Sequence, residues 1–161
     1  MRKLSLLAAA VAMAACSSSG PPPAQVSPAG GPAAVAAAFM QAVADSNLAQ
    51  MGALWGTERG PAASTRQPSD WVQRVTVIQA YLRGGKSRVL SESDPAISEQ
   101  GRRQVMVEID RGNCLKQVPF TMILTRDGAW LVNAIDLPAA GVPGRSCPPS
   151  GTRPPDDYFI Q

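Results

Sequence analysis

Arg102–Leu137, RRQVMVEIDRGNCLKQVPFTMILTRDGAWLVNAIDL, decides the fold. It predicts three strands, 102–110, 114–125 and 129–137, broken by Arg111-Gly112-Asn113 and Arg126-Asp127-Gly128. In the first strand Val105, Val107 and Ile109 alternate with Met106, Glu108 and Asp110. In the second, Val118, Phe120, Met122 and Leu124 alternate with Pro119, Thr121, Ile123 and Thr125. A period of two places one set on the core and the other opposite. Asp-Gly between apolar runs signals a hairpin, because both residues tolerate φ > 0. The third strand slips phase: Trp130 and Val132 share one side by strict alternation, whereas Ile135 and Leu137 take the other. A bulge near Asn133-Ala134 reconciles them; burial of the strand on both faces would as well.

Upstream, helical spacing takes over. A helix is expected over 33–44, with Pro32 at its first turn and Val35, Phe39 and Val43 as its apolar stripe. Asp45-Ser46-Asn47 offers N-caps to a short second helix carrying Leu48, Met51, Leu54 and Trp55. Residues 56–61 read as loop. A third helix runs from about Asp70 to Arg83, with Ser69 as candidate N-cap and Gly84-Gly85 as its stop. Trp71, Val75, Ile78 and Leu82 line its apolar side. Lys86 to Glu92 forms an edge-like first strand through Val89 and Leu90. From Pro138 onward, six prolines predict no regular structure.

The N-terminus reads as an export signal. Arg2 and Lys3 precede an apolar run from Leu4 to Ala15, which is shorter than the ~20 residues a spanning helix needs. Met13-Ala14-Ala15-Cys16 resembles the lipobox of bacterial lipoproteins. The resemblance implies cleavage before Cys16, a diacylglyceryl thioether on its thiol and acylation, palmitate being typical, of the new amino terminus. Several acyl chains at ~0.8 kcal/mol per buried CH₂ hold a protein on a membrane without a spanning helix. Ser17, rather than Asp, resembles the class sorted to the outer membrane, so the expected address is the cell envelope, facing the periplasm. The expected division is signal peptide 1–15, lipidated Cys16 with a Ser/Gly/Pro/Ala tether to 32, folded domain 33–137 and Pro-rich tail 138–161. The 16 tether residues extend at most ~50–58 Å.

Composition narrows the function. The 161-residue chain carries 15 Lys+Arg against 12 Asp+Glu; loss of Arg2 and Lys3 leaves 13 against 12, a net +1. The only adjacent basic pair beyond them is Arg102-Arg103, so no clustered surface for nucleic acid is written in the chain. Histidine is absent, which removes the commonest general base, the usual hydrolytic triad and the commonest transition-metal ligand. Glu108 and Asp110 fall together on the expected solvated strand face, and Asp136 stands where it can cap a turn. Tyr81 and Tyr158 show no spacing that pairs them with a carboxylate. The chain therefore reads as non-catalytic, with no cofactor and no metal site.

Two or three helices followed by an antiparallel sheet that closes on Asp127-Gly128-Ala129-Trp130-Leu131-Val132 resemble the nuclear transport factor 2-like superfamily. Small bacterial lipoproteins of that superfamily often end on a similar strand. The resemblance covers about 33–137. It implies an α+β cone, with N-terminal helices packed on a curved antiparallel sheet and an apolar pocket at the open end. It also implies members that bind small ligands, dimerise, or serve in envelope assemblies. The expected role is a lipid-anchored binding or accessory module. Its partners would be the membrane, a small apolar ligand or an envelope protein, or a second copy. Alternatives are a structural subunit and an isomerase-type pocket enzyme. Trp55, Tyr81, Met106 and Met122 are the pocket candidates, each also readable as ordinary packing.

Once Cys16 is acylated, Cys114 and Cys147 are the remaining cysteines. Disulfides persist outside the cytoplasm, and an even count favours a bond between them; the alternative is two free thiols. Closing a loop of about 33 residues stabilises by roughly 3–4 kcal/mol in the chain-entropy model. The mature protein should show no free thiol without reductant. Two titratable thiols in the folded protein would contradict the bond.

Overall fold

Asn133 is one residue too many for the strand it sits in, and the sheet bulges to accept it. The computed structural model describes residues 30–93, 101–112 and 114–143. In chain order the elements are α1 (Pro32–Ala44), α2 (Leu48–Leu54), β1 (Gly56–Thr57), β2 (Gly60–Pro61), α3 (Ala62–Thr65), α4 (Trp71–Leu82), β3 (Lys86–Ser93), β4 (Arg102–Asp110), β5 (Leu115–Leu124), β6 (Trp130–Ile135) and α5 (Leu137–Ala140). The fold is α+β: helices pack on a curved four-stranded antiparallel sheet of order β3-β4-β5-β6.

Strand alternation builds the inner face. Val105 pairs with Phe120 and Val107 with Val118, and all four are fully buried. Gly112 and Gly128 take φ of 82° and 81° in the two turns that join β4, β5 and β6. Thr125 organises the second turn: its backbone N–H donates to the Ala129 carbonyl at 2.8 Å, and its Oγ1 accepts from the Ala129 N–H at 3.0 Å. Between β5 and β6 the register shifts after Thr121↔Ala134 to Met122↔Val132, leaving Asn133 unmatched. That extra residue puts Val132 opposite Met122 and Ile135 opposite Phe120, so both sides of the phase slip face the core. A second shift between Val89 and Ser91 leaves Leu90 out of register on the edge strand β3.

Helix α1 covers this face. Pro32 occupies its first turn, and Val35, Phe39 and Val43 point inward with Ala36, Met40 and Ala42. The Phe39 ring meets Phe120 edge-on, centroids 6.1 Å apart at 82°, a geometry the aromatic quadrupole favours. Asn47 caps α2 by accepting the Gln50 N–H at 3.0 Å. Helix α4 buries Val75, Ile78 and Leu82, and its Trp71 lies on Gly52 of α2. A Cβ at Gly52 would stand 2.3 Å from the Trp71 ring, so only glycine admits it. Arg111, between β4 and β5, donates through Nη1 to the Ala140 carbonyl at 2.8 Å and through Nη2 to the Tyr81 carbonyl. One guanidinium thus ties the ends of α4 and α5 to the sheet, where a cation also suits helix carbonyl ends.

Some expectations change. Residues 56–61 are not loop: β1 and β2 form a two-residue ladder, because Gly60 takes φ 123° and a bare Gly56 lets the Gly60 carbonyl close in. The N-cap of α4 is Asp70, not Ser69, and its carboxylate goes to Arg74 rather than to a helix amide. Regular structure also continues past Leu137. Asp136 caps α5, accepting the Ala139 N–H at 3.3 Å, and Pro138 sits in the first turn where its missing N–H costs nothing. The expected signal peptide, Cys16, most of the tether and residues 144–161 of the tail lie outside the described residues.

Phe39→Ala should destabilise the fold by about 3–5 kcal/mol, measured by urea unfolding, because it empties the helix–sheet contact. Leu115→Ala, at a side chain 59% exposed, should stay within about 0.5 kcal/mol of the parent.

Candidate ligand-binding cleft

The C-terminal end of β6 is not flush against α4. Between them lies a cleft of about 440 Å³, within the range of small-molecule sites. Gln73, Arg74 and Val77 of α4 form one wall, and Asn133, Ala134 and Ile135 form the other. Trp55, Ile78 and Leu137 complete an apolar lining.

The bulged residue Asn133 is tied to the segment after α2. The Trp55 indole Nε1–H donates to the Asn133 carbonyl at 3.1 Å, and the Asn133 side-chain amide donates to the Gly56 carbonyl at 2.8 Å. Trp55 also bridges to Val132 in the parallel sense. β6 is the edge of the four-stranded sheet, and the carbonyl of its unmatched residue is open to the indole. Trp55 thereby lines the cleft with its N–H satisfied.

At the rim, Arg74 Nε donates to both Asp70 oxygens at 3.0 Å, one turn apart on α4. Both side chains are about half exposed, so the pair adds little stability. Its effect is on charge state. The Arg74 hydrogen bond holds the Asp70 carboxyl below its usual range, with the Arg74 charge acting in the same direction. A general base or acid working near neutral pH needs the opposite shift. Asp70 is a fixed anion across the physiological range, and with Arg74 leaves the rim electrically balanced.

A second depression, about 390 Å³, lies on the other face of the sheet, lined by Lys86, Ser87, Arg88, Glu108, Asp110 and Leu115. Here one expectation is corrected. Asp110 is exposed, but Glu108 is buried at 6% exposure. Register explains the difference: Arg88 stands directly opposite Glu108, and its Nε donates to Oε1 at 2.6 Å. The Glu108 carboxylate raises the Arg88 pKa further, through its hydrogen bond first and its charge second.

The four pocket candidates do not meet. Trp55 lines the cleft. Met122 is sealed in the core. Met106 lies between Ser91 and Pro119 on the opposite sheet face. Tyr81, at the end of α4, contributes its backbone carbonyl to Arg111. Cys114 is disulfide-bonded, and both other cysteines, Cys16 and Cys147, lie outside the described residues. Among the described residues no group of three or more His, Cys, Asp and Glu could hold a metal ion, and no helix is long and apolar enough to cross a membrane. Sequence reasoning missed Arg74, Val77, Asn133 and Ile135 as cleft residues. Asn133 alone had left a signal, the phase slip in its strand.

No protein-family profile, curated protein or solved structure matches the chain. The geometry of the cleft and the chemistry of the N-terminus therefore carry the functional reading.

The folded-state pKa of Asp70 is depressed, so its stabilising contribution is present above the unfolded value near 3.8 and is lost as pH falls through the folded one. In Arg74→Ala the Asp70 midpoint, followed by carboxyl NMR titration, should rise toward the ordinary value. A midpoint unmoved by the substitution would show that Arg74 does not set it.

Proposed function

We propose that this protein is a lipid-anchored module of the bacterial cell envelope that binds a small, largely apolar ligand in the cleft between α4 and β6 without chemically transforming it. The single observation that carries the reading is the cleft itself: Trp55, Val77, Ile78, Ile135 and Leu137 present apolar surface around a space of about 440 Å³. Asn133, Gln73 and the Asp70–Arg74 pair offer polar contacts at its edge. Apolar lining with a few fixed polar groups is what orients a small ligand.

Three lines support the absence of catalysis as part of the proposal. The chain has no histidine. The carboxylate nearest the cleft is held ionised by Arg74. Glu108, the buried carboxylate, is paired to Arg88 on the face away from the helices. The order of helices and sheet, and the closing Asp127-to-Val132 strand, support the nuclear transport factor 2-like cone as the fold's finer description. Met13-Ala14-Ala15-Cys16 supports acylation at Cys16, and Ser17 an outer-membrane address facing the periplasm.

Protein extracted from envelopes should retain a small apolar molecule in native mass spectrometry. Val77→Trp should lose it with an unchanged unfolding midpoint, since Val77 is 44% exposed and its replacement fills the cleft rather than the core. An empty cleft, together with a protein crosslinked reproducibly to the sheet, would favour a structural subunit instead. Labelled palmitate should enter the native chain and not Cys16→Ser, and that variant should leave the membrane fraction. Identical fractionation of the two would remove the anchor from the account.

A further inference from the structure

The rim of the cleft has hydrogen-bond donors to spare. Arg74 meets Asp70 through Nε alone, which donates to both carboxylate oxygens at 3.0 Å. A guanidinium donates from Nη1 and Nη2 as well, and among the described residues neither of these has a hydrogen-bond partner on Arg74. Two other donors of the lining are spent: the Trp55 indole on the Asn133 carbonyl, and the Asn133 amide on the Gly56 carbonyl. Gln73, exposed just before Arg74 on α4, adds a side-chain amide to the same rim.

Charge decides what these donors accept. A carboxylate at the Nη groups would stand as a second anion near Asp70, whose ionised form the Arg74 hydrogen bond already favours. Like charges sharing a site disfavour each other. An ammonium would meet the Arg74 charge, and it brings only further donors where donors are in surplus. A neutral carbonyl oxygen accepts from the Nη groups and leaves the charges of the rim cancelled. We infer that the ligand of the cleft is an uncharged apolar molecule with a carbonyl oxygen at its polar end, of the ester, ketone or amide class. Nη1 and Nη2 of Arg74 hold that oxygen, and the hydrocarbon part lies against Val77, Ile78, Ile135 and Leu137. Asp70 is then a specificity residue: it engages Arg74 at Nε, leaves the Nη groups to the ligand, and turns free acids away by its charge.

The inference rests on the cleft being a ligand site. Titration calorimetry of the full chain with methyl octanoate, octanoic acid at neutral pH and octylamine tests it. The ester should bind about tenfold tighter than either charged probe. In Arg74→Met the ester should lose about tenfold, and octylamine, now facing an unpaired Asp70, should overtake it. Asp70→Asn keeps the shape and removes the charge, so the ratio of acid to ester affinity should rise about tenfold. Both side chains are about half exposed, so neither substitution empties the core, and the urea midpoint should confirm a retained fold. Acid or amine binding the parent as tightly as the ester would overturn the inference and leave the cleft reading standing. So would an acid-to-ester ratio that Asp70→Asn does not move. Binding of the ester that survives Val77→Trp, or no binding of any probe, would overturn both.

Discussion

The structure depends on one surplus residue. Strands tolerate no odd insertion without turning every later side chain over, yet β6 must send Trp130, Val132 and Ile135 to one face. Bulging at Asn133 resolves this. The unmatched residue then becomes a fixture: its carbonyl takes the Trp55 indole and its amide holds the Gly56 carbonyl. The same local kink therefore phases the core and fastens the segment after α2, and the bulged residue itself lines the cleft.

The two ion pairs seen among the described residues lie outside the helix–sheet core. Asp70 and Arg74 pair at the cleft rim; Arg88 covers Glu108 on the far sheet face. Neither pair sits among the apolar side chains between helices and sheet. The cleft offers apolar contact and hydrogen bonds, with a rim whose charges cancel. Such a site discriminates by shape and by placement of a few polar atoms rather than by strong electrostatic attraction. The proposed role, holding a ligand without transforming it, rests on that arrangement.

Much of this could be read from residues. Strict alternation from Val105 to Ile109 and from Val118 to Met122 marks the inner face, and Asp127-Gly128 marks its hairpin, because these patterns are local and tied to the pleat. Phase slip around Asn133 announced the bulge. The stripes of α1 and α4 were equally plain. The cleft was not legible, since it is a gap between α4 and β6, elements far apart in sequence, and spacing within an element says nothing of the distance to its neighbour. Trp55 was identifiable only as an aromatic near the helix–sheet junction. Met122 was indistinguishable from it by pattern, yet lies in the core, because position on the inner face does not tell depth. Glu108 misled for a different reason. Its outward phase was right, but a guanidinium directly across the strand pair covers it.

Deleting Asn133 addresses the central claim most directly. Without the bulge, either Trp130 and Val132 or Ile135 must turn away from the core. The shortened protein should lose its cooperative urea transition, or shift it far below that of Asn133→Ala, which keeps the residue count and loses only the amide bond to Gly56. Equal midpoints for the parent and the deletion, with native near-ultraviolet dichroism retained, would contradict the account.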